Sequence, residues 1–229
     1  MVRAHAGPLQ KLHYWSFSYF CNMQKIKTLV FDLGGVIINL KPELDWFQND
    51  MMKHFDNDQL INLYKQFYFR EFEKGIINPT DFILQLKDIA LNKNCSDEEI
   101  KKYWCGILLD IPVHRIDILK KLKEKYRLIL LSNTNQIHVD CIRAYMQQTF
   151  GEDVLEGNFH HCYYSQEIGM RKPDAEIYEF VMEQQKLIPT ETLFLDDKEE
   201  NLIEPQKLGW QTFHVNFNKL SINDLQFLL

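Results

Sequence analysis

Short apolar runs alternate with amphipathic stretches along most of the chain. Runs rich in β-branched and aromatic residues predict buried strands at 28–31, 128–131, 192–195 and 212–215, with a shorter candidate at 162–164. Between them, apolar residues recur at helical spacing, as at Ile116, Leu119 and Leu122. This alternation of strands and helices predicts an α/β fold with a doubly wound, Rossmann-like parallel sheet.

The segment between the first two strands has helical periodicity only. Helices are predicted to start at Pro42, with Leu44, Phe47 and Met51 on one face, over 59–69, at Asn78-Pro79, and at a capping box formed by Ser96 and Glu99. We therefore expect a bundle of helices inserted into the sheet domain. The predicted division is a core of 24–39 and 110–229, a helical cap of 40–109, and an extension of 1–23.

The extension differs from the rest of the chain. It combines basic residues with an aromatic cluster at 14–20, and Met23 stands just before the first strand. The cluster is short and is not followed by a small-residue cleavage site, so a signal peptide is not favoured. We expect 1–23 to lie outside the fold, and leave open whether it belongs to the native protein.

Composition excludes several classes of protein. The net charge of −6 argues against a nucleic-acid-binding protein, which normally has a basic excess. No apolar run reaches the roughly 18 residues of a membrane-spanning helix. The five cysteines are scattered and never spaced C-x-x-C, which argues against a disulfide framework or a zinc site and favours a reducing compartment. A cytoplasmic monomer is the default expectation.

Polar residues follow three of the predicted strands. Asp32 comes after the first, Ser132 and Asn133 after the second, and Asp196-Asp197 after a later one. Parallel strands would bring these groups to one edge of the sheet, where open α/β sheets bind ligands. Carboxylates there suit Mg²⁺, which takes one or two carboxylates together with a substrate phosphate. Such a site could use Asp32 as a nucleophile that forms an aspartyl-phosphate.

Four motifs carry a resemblance to a known family. They are 31–36 (Phe-Asp-Leu-Gly-Gly-Val), 131–135 (Leu-Ser-Asn-Thr-Asn), 171–173 (Arg-Lys-Pro) and 194–197 (Phe-Leu-Asp-Asp). In this order the sequence resembles the haloacid dehalogenase superfamily of aspartate-nucleophile phosphohydrolases. Within that superfamily it looks most like bacterial sugar-phosphate phosphatases, including the α-glucose-1-phosphatase type. The resemblance implies a helical cap and Mg²⁺-dependent hydrolysis of a small phosphomonoester, such as a sugar 1-phosphate.

The resemblance also implies roles for individual residues. Asp32 would be the nucleophile and a metal ligand, and Gly34 would offer its backbone carbonyl to the metal. Lys172 would balance the charge of Asp32 and the phosphate. Asp196 would be the more direct metal ligand, with Asp197 bound directly or through water.

Phosphate and substrate contacts are expected from other positions. The resemblance implies phosphate binding by Leu33, Ser132 and Asn133. Asn135 is a candidate substrate contact, with exposure at a helix start as the alternative. On the cap, Arg70 and Glu71 could contact substrate, or form an exposed ion pair.

One position departs from the family pattern. The family usually has a second Asp two residues after the nucleophile, as general acid and base, and here that residue is Gly34. Such a group typically contributes about 10²–10⁴-fold in rate. Another group or water could replace it, the leaving group could need less help, or turnover could be weak. Weak turnover would make the chain a phosphometabolite-binding protein of low activity. The other alternative is a carbon–halogen hydrolase on the same scaffold, which needs no metal and against which the pair Asp196-Asp197 argues.

Overall fold

A parallel sheet of five strands lies at the centre of the computed structural model, which describes residues 25–215. The strands are β1 (Thr28–Phe31), β2 (Arg127–Ser132), β3 (His161–Tyr164), β4 (Thr192–Asp196) and β5 (Gln211–His214). Their order across the sheet is β3-β2-β1-β4-β5, and each neighbouring pair is parallel. The predicted parallel α/β fold is confirmed. The predicted extension and the end of the predicted core, 216–229, lie outside the described residues.

Helices fill residues 40–109, within the longer segment that joins β1 to β2. Within the described residues these are α1 (Glu43–Asn49), α2 (Asn57–Lys65), α3 (Tyr68–Glu73), α4 (Pro79–Asp88) and α5 (Asp97–Trp104). Their buried side chains form a separate hydrophobic cluster, in which Phe72 stacks on Phe82 at 3.9 Å and Phe82 meets Trp104 at 4.6 Å. The predicted capping box opens α5, because Ser96 and Glu99 exchange side-chain and backbone hydrogen bonds. We call this segment, 40–109, the helical insert.

Helices on both faces of the sheet complete the core. They are α6 (Val113–Lys123), α7 (Gln136–Phe150), α8 (Val154–Asn158), α9 (Ser165–Ile168), α10 (Ala175–Gln185) and α11 (Ile203–Lys207). Leu29 and Phe31 of β1 face the cluster that contains α6, α7 and α8, whereas Val30 faces the cluster that contains α10. Since both faces are covered, β1 is buried along its whole length, which explains its continuous apolar sequence.

Two details of the insert differ from the prediction. The helix predicted over 59–69 is broken into α2 and α3 at Phe67, whose φ of 58° lies in the left-handed region. Apolar residues continue across the break, so the hydrophobic pattern gave no sign of it. In α1 the buried residue is Trp46, and Leu44, expected on the inner face, is 66% exposed.

The two segments that connect the insert to the sheet run side by side. The Asn39 N–H donates to the Asp110 carbonyl at 2.9 Å, and the Leu109 N–H donates back to the Asn39 carbonyl at 3.0 Å. Leu40 and Leu108 form an antiparallel bridge. The chain therefore enters and leaves the insert at one point.

A disulfide joins the end of the insert to the core. Cys105, directly after α5, is bonded to Cys141 on α7, with their Cα atoms 6.8 Å apart. The scattered cysteines had indicated thiols in a reducing compartment; that expectation missed this pair, because residues 36 positions apart meet only in the folded chain. Cys95 and Cys162 are free. Among the described residues, no helix has both the length and the apolar character needed to cross a membrane.

Candidate active site

The ends of three adjacent strands bring the predicted polar residues together. Asp32 follows β1, Ser132 ends β2 and Asp196 ends β4, and β1 lies between the other two strands. The Asp32 N–H donates to the Leu195 carbonyl at 2.8 Å, which extends the β1–β4 pairing to the nucleophile candidate. The strand order reverses at β1, so this edge is the position where ligands bind in open α/β sheets.

Lys172 lies at the centre of the group. Its Nζ atom is 2.7 Å from an oxygen of Asp32 and 2.7 Å from an oxygen of Asp196, and its side chain is 1% exposed. Asn133 holds the Lys172 backbone, since its amide donates to the Lys172 carbonyl and accepts from the Lys172 N–H, both at 2.8 Å. The peptide between Lys172 and Pro173 is cis. A buried ammonium is therefore fixed between two carboxylates.

The surroundings shift the pKa values of these groups. Burial raises the pKa of Asp32 to about 7, with Asp196 and Asp197 adding to the rise and Lys172 opposing it. Burial and the charge of Asp196 raise the pKa of Asp197. Burial alone would lower the pKa of Lys172, but the carboxylates of Asp196 and Asp32 raise it above its ordinary value. The site holds an excess of negative charge, as expected where a cation binds.

Asp196 is the most firmly held carboxylate. One oxygen accepts from the Lys198 N–H at 2.8 Å and from the Asn201 amide at 2.9 Å; the other accepts from Lys172 and, at 3.1 Å, from Asn201. A carboxylate offers about four lone-pair sites, so a metal would have to displace one of these donors. This geometry favours Asp197 over Asp196 as the direct metal ligand, and the order expected from the resemblance stays a prediction.

Two glycines shape the loop after Asp32. Gly35 has a φ of +67°, and a Cβ atom on it would collide with the Asp197 carboxylate, so both the backbone and the contact require glycine. A Cβ atom on Gly34 would stand 2.8 Å from Leu40 Cδ1. Leu40 therefore lies in space that a side chain at position 34 would enter, and the tip of this flexible side chain would have to shift to admit an acid–base Asp there.

The residues present suit a divalent cation. Asp32, Asp196 and Asp197 each offer a carboxylate oxygen, and these oxygens lie within 4.8 Å of one another. The ligands of an octahedral Mg²⁺, bound at about 2.0–2.1 Å, stand about 3–4 Å apart. A small inward movement of the carboxylates would thus complete an all-oxygen site for this metal.

The predicted phosphate and substrate contacts have different surroundings in the structure. Ser132 is buried at the sheet edge, and its hydroxyl makes only a long 3.5 Å contact, to the Asn133 carbonyl, within the described residues. Leu33 lies in the core, where its carbonyl accepts from the two N–H groups of 37–38. Asn135 caps α7 by accepting from the His138 N–H, and it also accepts from Trp104 of the insert. Its burial rules out the alternative of exposure at a helix start, while its contact with substrate stays a prediction.

Sequence reasoning missed several polar residues near the site. Arg171 forms an ion pair with Glu73 of the insert at 3.0 Å, and Lys198 lies 3.5 Å from Glu43. Arg70, a candidate for substrate contact together with Glu71, lies over the ring of Phe67, and a role of these two residues in substrate binding stays a prediction. The position of Lys198 directly after the aspartate pair could have indicated from the sequence that it lies near the site. No sequence feature indicated this for Glu73.

This chain is similar in sequence to a family of hydrolases and to characterised phosphatases. Residues 26–208 match the model of the haloacid dehalogenase-like hydrolases. A D-ribitol-5-phosphate phosphatase of Bacteroides thetaiotaomicron is 31% identical over 82% of this chain and 91% of its own. A sesquiterpene phosphatase of Aspergillus oryzae is 27% identical over 89% of this chain and 96% of its own.

A solved structure agrees with this assignment. A HAD family enzyme of Bacteroides thetaiotaomicron, in complex with magnesium and inorganic phosphate, is similar at a TM-score of 0.71 and 36% identity. The similarity covers 83% of this chain and 94% of that enzyme. With the family model matching most of its length, this chain belongs to the haloacid dehalogenase-like hydrolases.

Proposed function

We propose that this hydrolase is a Mg²⁺-dependent phosphatase that acts on a small phosphomonoester of the sugar-phosphate class. The observation that carries the proposal is the buried Lys172, in contact with both Asp32 and Asp196 beside a third carboxylate, Asp197. The two related phosphatases and the magnesium and phosphate complex of a structural relative support it. D-ribitol 5-phosphate, in the name of one relative, is a polyol phosphate, close in chemistry to a sugar phosphate.

Asp32 is the nucleophile in the proposed reaction. A carboxylate oxygen of Asp32 attacks phosphorus, the bond between phosphorus and the ester oxygen breaks, and an aspartyl-phosphate forms. Water then attacks this acyl phosphate, which releases inorganic phosphate and regenerates the Asp32 carboxylate. Lys172 and the Ser132 hydroxyl donate to the phosphoryl oxygens, whose charge needs donors in fixed positions.

The metal would be held by oxygen atoms of this chain. Asp32 and Asp197, with the Gly34 carbonyl, are the proposed ligands, while Asp196 fixes Lys172 and offers a further oxygen. When bound, Mg²⁺ would neutralise phosphate charge and orient the ester for in-line attack. Leu33 and Asn133 contribute backbone N–H groups to the phosphate site, and the Asn133 side chain keeps Lys172 in position.

The leaving group must obtain its proton without help from residue 34. Gly34 has no side chain, and Leu40 fills the adjoining space. We therefore infer that water protonates the departing alkoxide, and that esters with better leaving groups react faster. The dependence of the rate on the pKa of the leaving group can be measured with a series of esters.

Phosphate release from p-nitrophenyl phosphate, ribitol 5-phosphate and glucose 1-phosphate tests the proposal. We expect turnover with Mg²⁺, none with EDTA, and a loss of at least about 10³-fold in Asp32→Asn. Asp140→Asn is a matched control, because Asp140 is an exposed carboxylate on α7 that accepts a hydrogen bond from Gln136. Its activity should equal that of the wild type.

Three results would contradict the proposal. Turnover that survives EDTA, or release of halide from a haloacid, would favour the carbon–halogen hydrolase. Tight binding of a phosphate ester without turnover, unchanged in Asp32→Asn, would favour a binding protein. Equal activity in the Asp32 variant and its control would remove Asp32 from the mechanism.

A further inference from the structure

The insert and the core meet beside the catalytic edge at α3 and α9. Gly75, two residues beyond the end of α3, has a φ of +69°, and a Cβ atom on it would collide with the backbone carbonyl of Gln166 in α9. Gln166 follows β3 closely, and Tyr164, the last residue of β3, is paired in register with Ser132. The contact between α3 and α9 therefore forms one wall beside the phosphate site. We call it the α3–α9 seam.

Glu73, the last residue of α3, presents an oriented carboxylate at this seam. The Nε and Nη2 atoms of Arg171 both lie 3.0 Å from the same Glu73 oxygen, Oε2. Within residues 25–215, no group donates a hydrogen bond to the other oxygen, Oε1. The Glu73 side chain is 28% exposed, and Arg171 directly precedes Lys172. An acceptor is thus held in place by the residue that precedes the catalytic lysine, and its second oxygen has free lone pairs within the described residues.

Gln166 presents an unpaired amide on the other side of the seam. Both its Nε2 and its Oε1 atoms are buried and have no hydrogen-bond partner in the described residues. A buried amide without partners is costly, and nearly all such groups in proteins are satisfied by protein, water or ligand. The seam therefore carries acceptors on both sides and a donor on one, and residues 25–215 leave these groups unsatisfied.

The charges around the seam favour a polar ligand over an apolar one. Besides Glu73 and Arg171, Glu43 of α1 and Lys198 of the core form an ion pair across the same boundary. A terpenyl or long alkyl chain would strip water from these charged groups without replacing their hydrogen bonds. A chain of hydroxyl groups can both donate to Glu73 and exchange hydrogen bonds with an amide.

We propose that Glu73 and Gln166 bind hydroxyl groups of the substrate, so that this enzyme selects polyol or sugar phosphates over apolar phosphate esters. The inference rests on the proposed phosphatase function and names the residues that recognise the non-phosphate part of the substrate. Glu73 accepts hydrogen bonds through Oε1, while Arg171 keeps the carboxylate in position. Gln166 binds a second hydroxyl from the core side.

Substrate discrimination tests this assignment. The quantity to measure is the ratio of kcat/KM for ribitol 5-phosphate to kcat/KM for p-nitrophenyl phosphate, which has no hydroxyl groups. We expect this ratio to fall about tenfold in Glu73→Gln, because the hydroxyl then bonds to a neutral amide oxygen instead of a carboxylate, and about tenfold in Gln166→Leu. Glu176→Gln is the control, since Glu176 also lies near an insert lysine, Lys74, at 3.9 Å.

The outcomes separate this inference from the function on which it rests. An unchanged ratio in both variants, with normal turnover, would overturn the roles of Glu73 and Gln166 and leave the phosphatase intact. Equal losses on both esters would also overturn them, because a purely structural defect does not distinguish substrates. Absence of turnover with either ester in the wild-type protein would overturn the proposed function itself. A ratio that falls in the two variants and not in Glu176→Gln supports the assignment.

Discussion

Replacing Lys172 with Met tests the central feature of the site. The two side chains are similar in length, so the change removes the charge and leaves most of the volume filled. In the wild-type protein, Lys172 Nζ contacts Asp32 and Asp196 at 2.7 Å each, and Asp196 is completely buried. The variant retains two buried carboxylates, with Asp197 nearby, and lacks the cation that compensates them.

The size of the effect follows from the burial of the pair. Removing one partner of a buried ion pair typically costs about 3–5 kcal/mol in the free energy of unfolding. The cost should depend on pH. Without Lys172 the pKa of Asp32 rises above the value of about 7 that it has in the wild-type protein. Protonation of Asp32 then relieves the repulsion at low pH, so the loss of stability is largest above pH 7.

Urea denaturation followed by circular dichroism, in EDTA at pH 8 and pH 5.5, measures this loss. Lys207→Met is the matched control, because Lys207 forms an ion pair of 2.6 Å with Glu204 but is 65% exposed. Exposed pairs contribute only about 0–1 kcal/mol. A loss in Lys172→Met below about 1 kcal/mol, or one equal at the two pH values, would refute the reasoning. Phosphatase activity should be abolished in Lys172→Met and retained in Lys207→Met.

Three further predictions concern neighbouring features. Gly34→Asp should not raise turnover, because its Cβ atom meets Leu40, whereas Gly34→Asp combined with Leu40→Ala should increase kcat for alkyl phosphates relative to p-nitrophenyl phosphate. Mg²⁺ binding, measured by calorimetry, should weaken about tenfold between pH 8 and pH 6, since a proton on Asp32, whose pKa is about 7, competes with the metal. Burial lowers the pKa of His138 to about 4. The neutral imidazole therefore costs no free energy of unfolding above pH 6.5, and that free energy falls by about 2–3 kcal/mol as the pH drops towards 4. Urea titrations of His138→Gln should lack this dependence.

Each of these predictions has an outcome that contradicts it. Turnover raised by Gly34→Asp alone would show that Leu40 does not limit position 34. A Mg²⁺ affinity independent of pH in this range would mean that Asp32 is already ionised or is not a ligand. Unfolding of His138→Gln with the same acid dependence as the wild type would assign that dependence to other groups.

The sheet and the order of its polar ends could be predicted from the sequence because both depend on simple rules. Strands covered on both faces are continuous apolar runs, and β1, β2 and β4 are of this kind. Parallel strands also share one carboxyl edge, so Asp32, Ser132 and Asp196 were expected at the same edge, and the observed strand order makes them neighbours. Local caps such as the one at Ser96 depend on residues three apart and were equally accessible.

Contacts between distant segments could not be predicted in this way. Glu73 and Arg171 are 98 residues apart, and only the packing of the insert on the core brings them together. The side chain of Asn135 could point towards solvent or towards the substrate at the start of α7. In the structure it accepts a hydrogen bond from the indole N–H of Trp104, 31 residues away in the chain. The orientation of a polar side chain at a helix start depends on which distant residues the fold places beside it.

The insert leaves the sheet domain and returns to it at a single hydrogen-bonded pair, Asn39 and Asp110. A chain without the insert would need only a tight turn there, and the strand ends that carry the catalytic groups would keep their register. Exchange of the segment by recombination could therefore give a new substrate range in one step. A replacement would have to cover Ile137 and Asn135 on α7, which the present insert buries through its own hydrophobic cluster and Trp104. It would also have to replace the contacts that the insert makes with Cys141, Arg171 and Lys198, so evolution of specificity is limited by these core residues as well as by the insert itself.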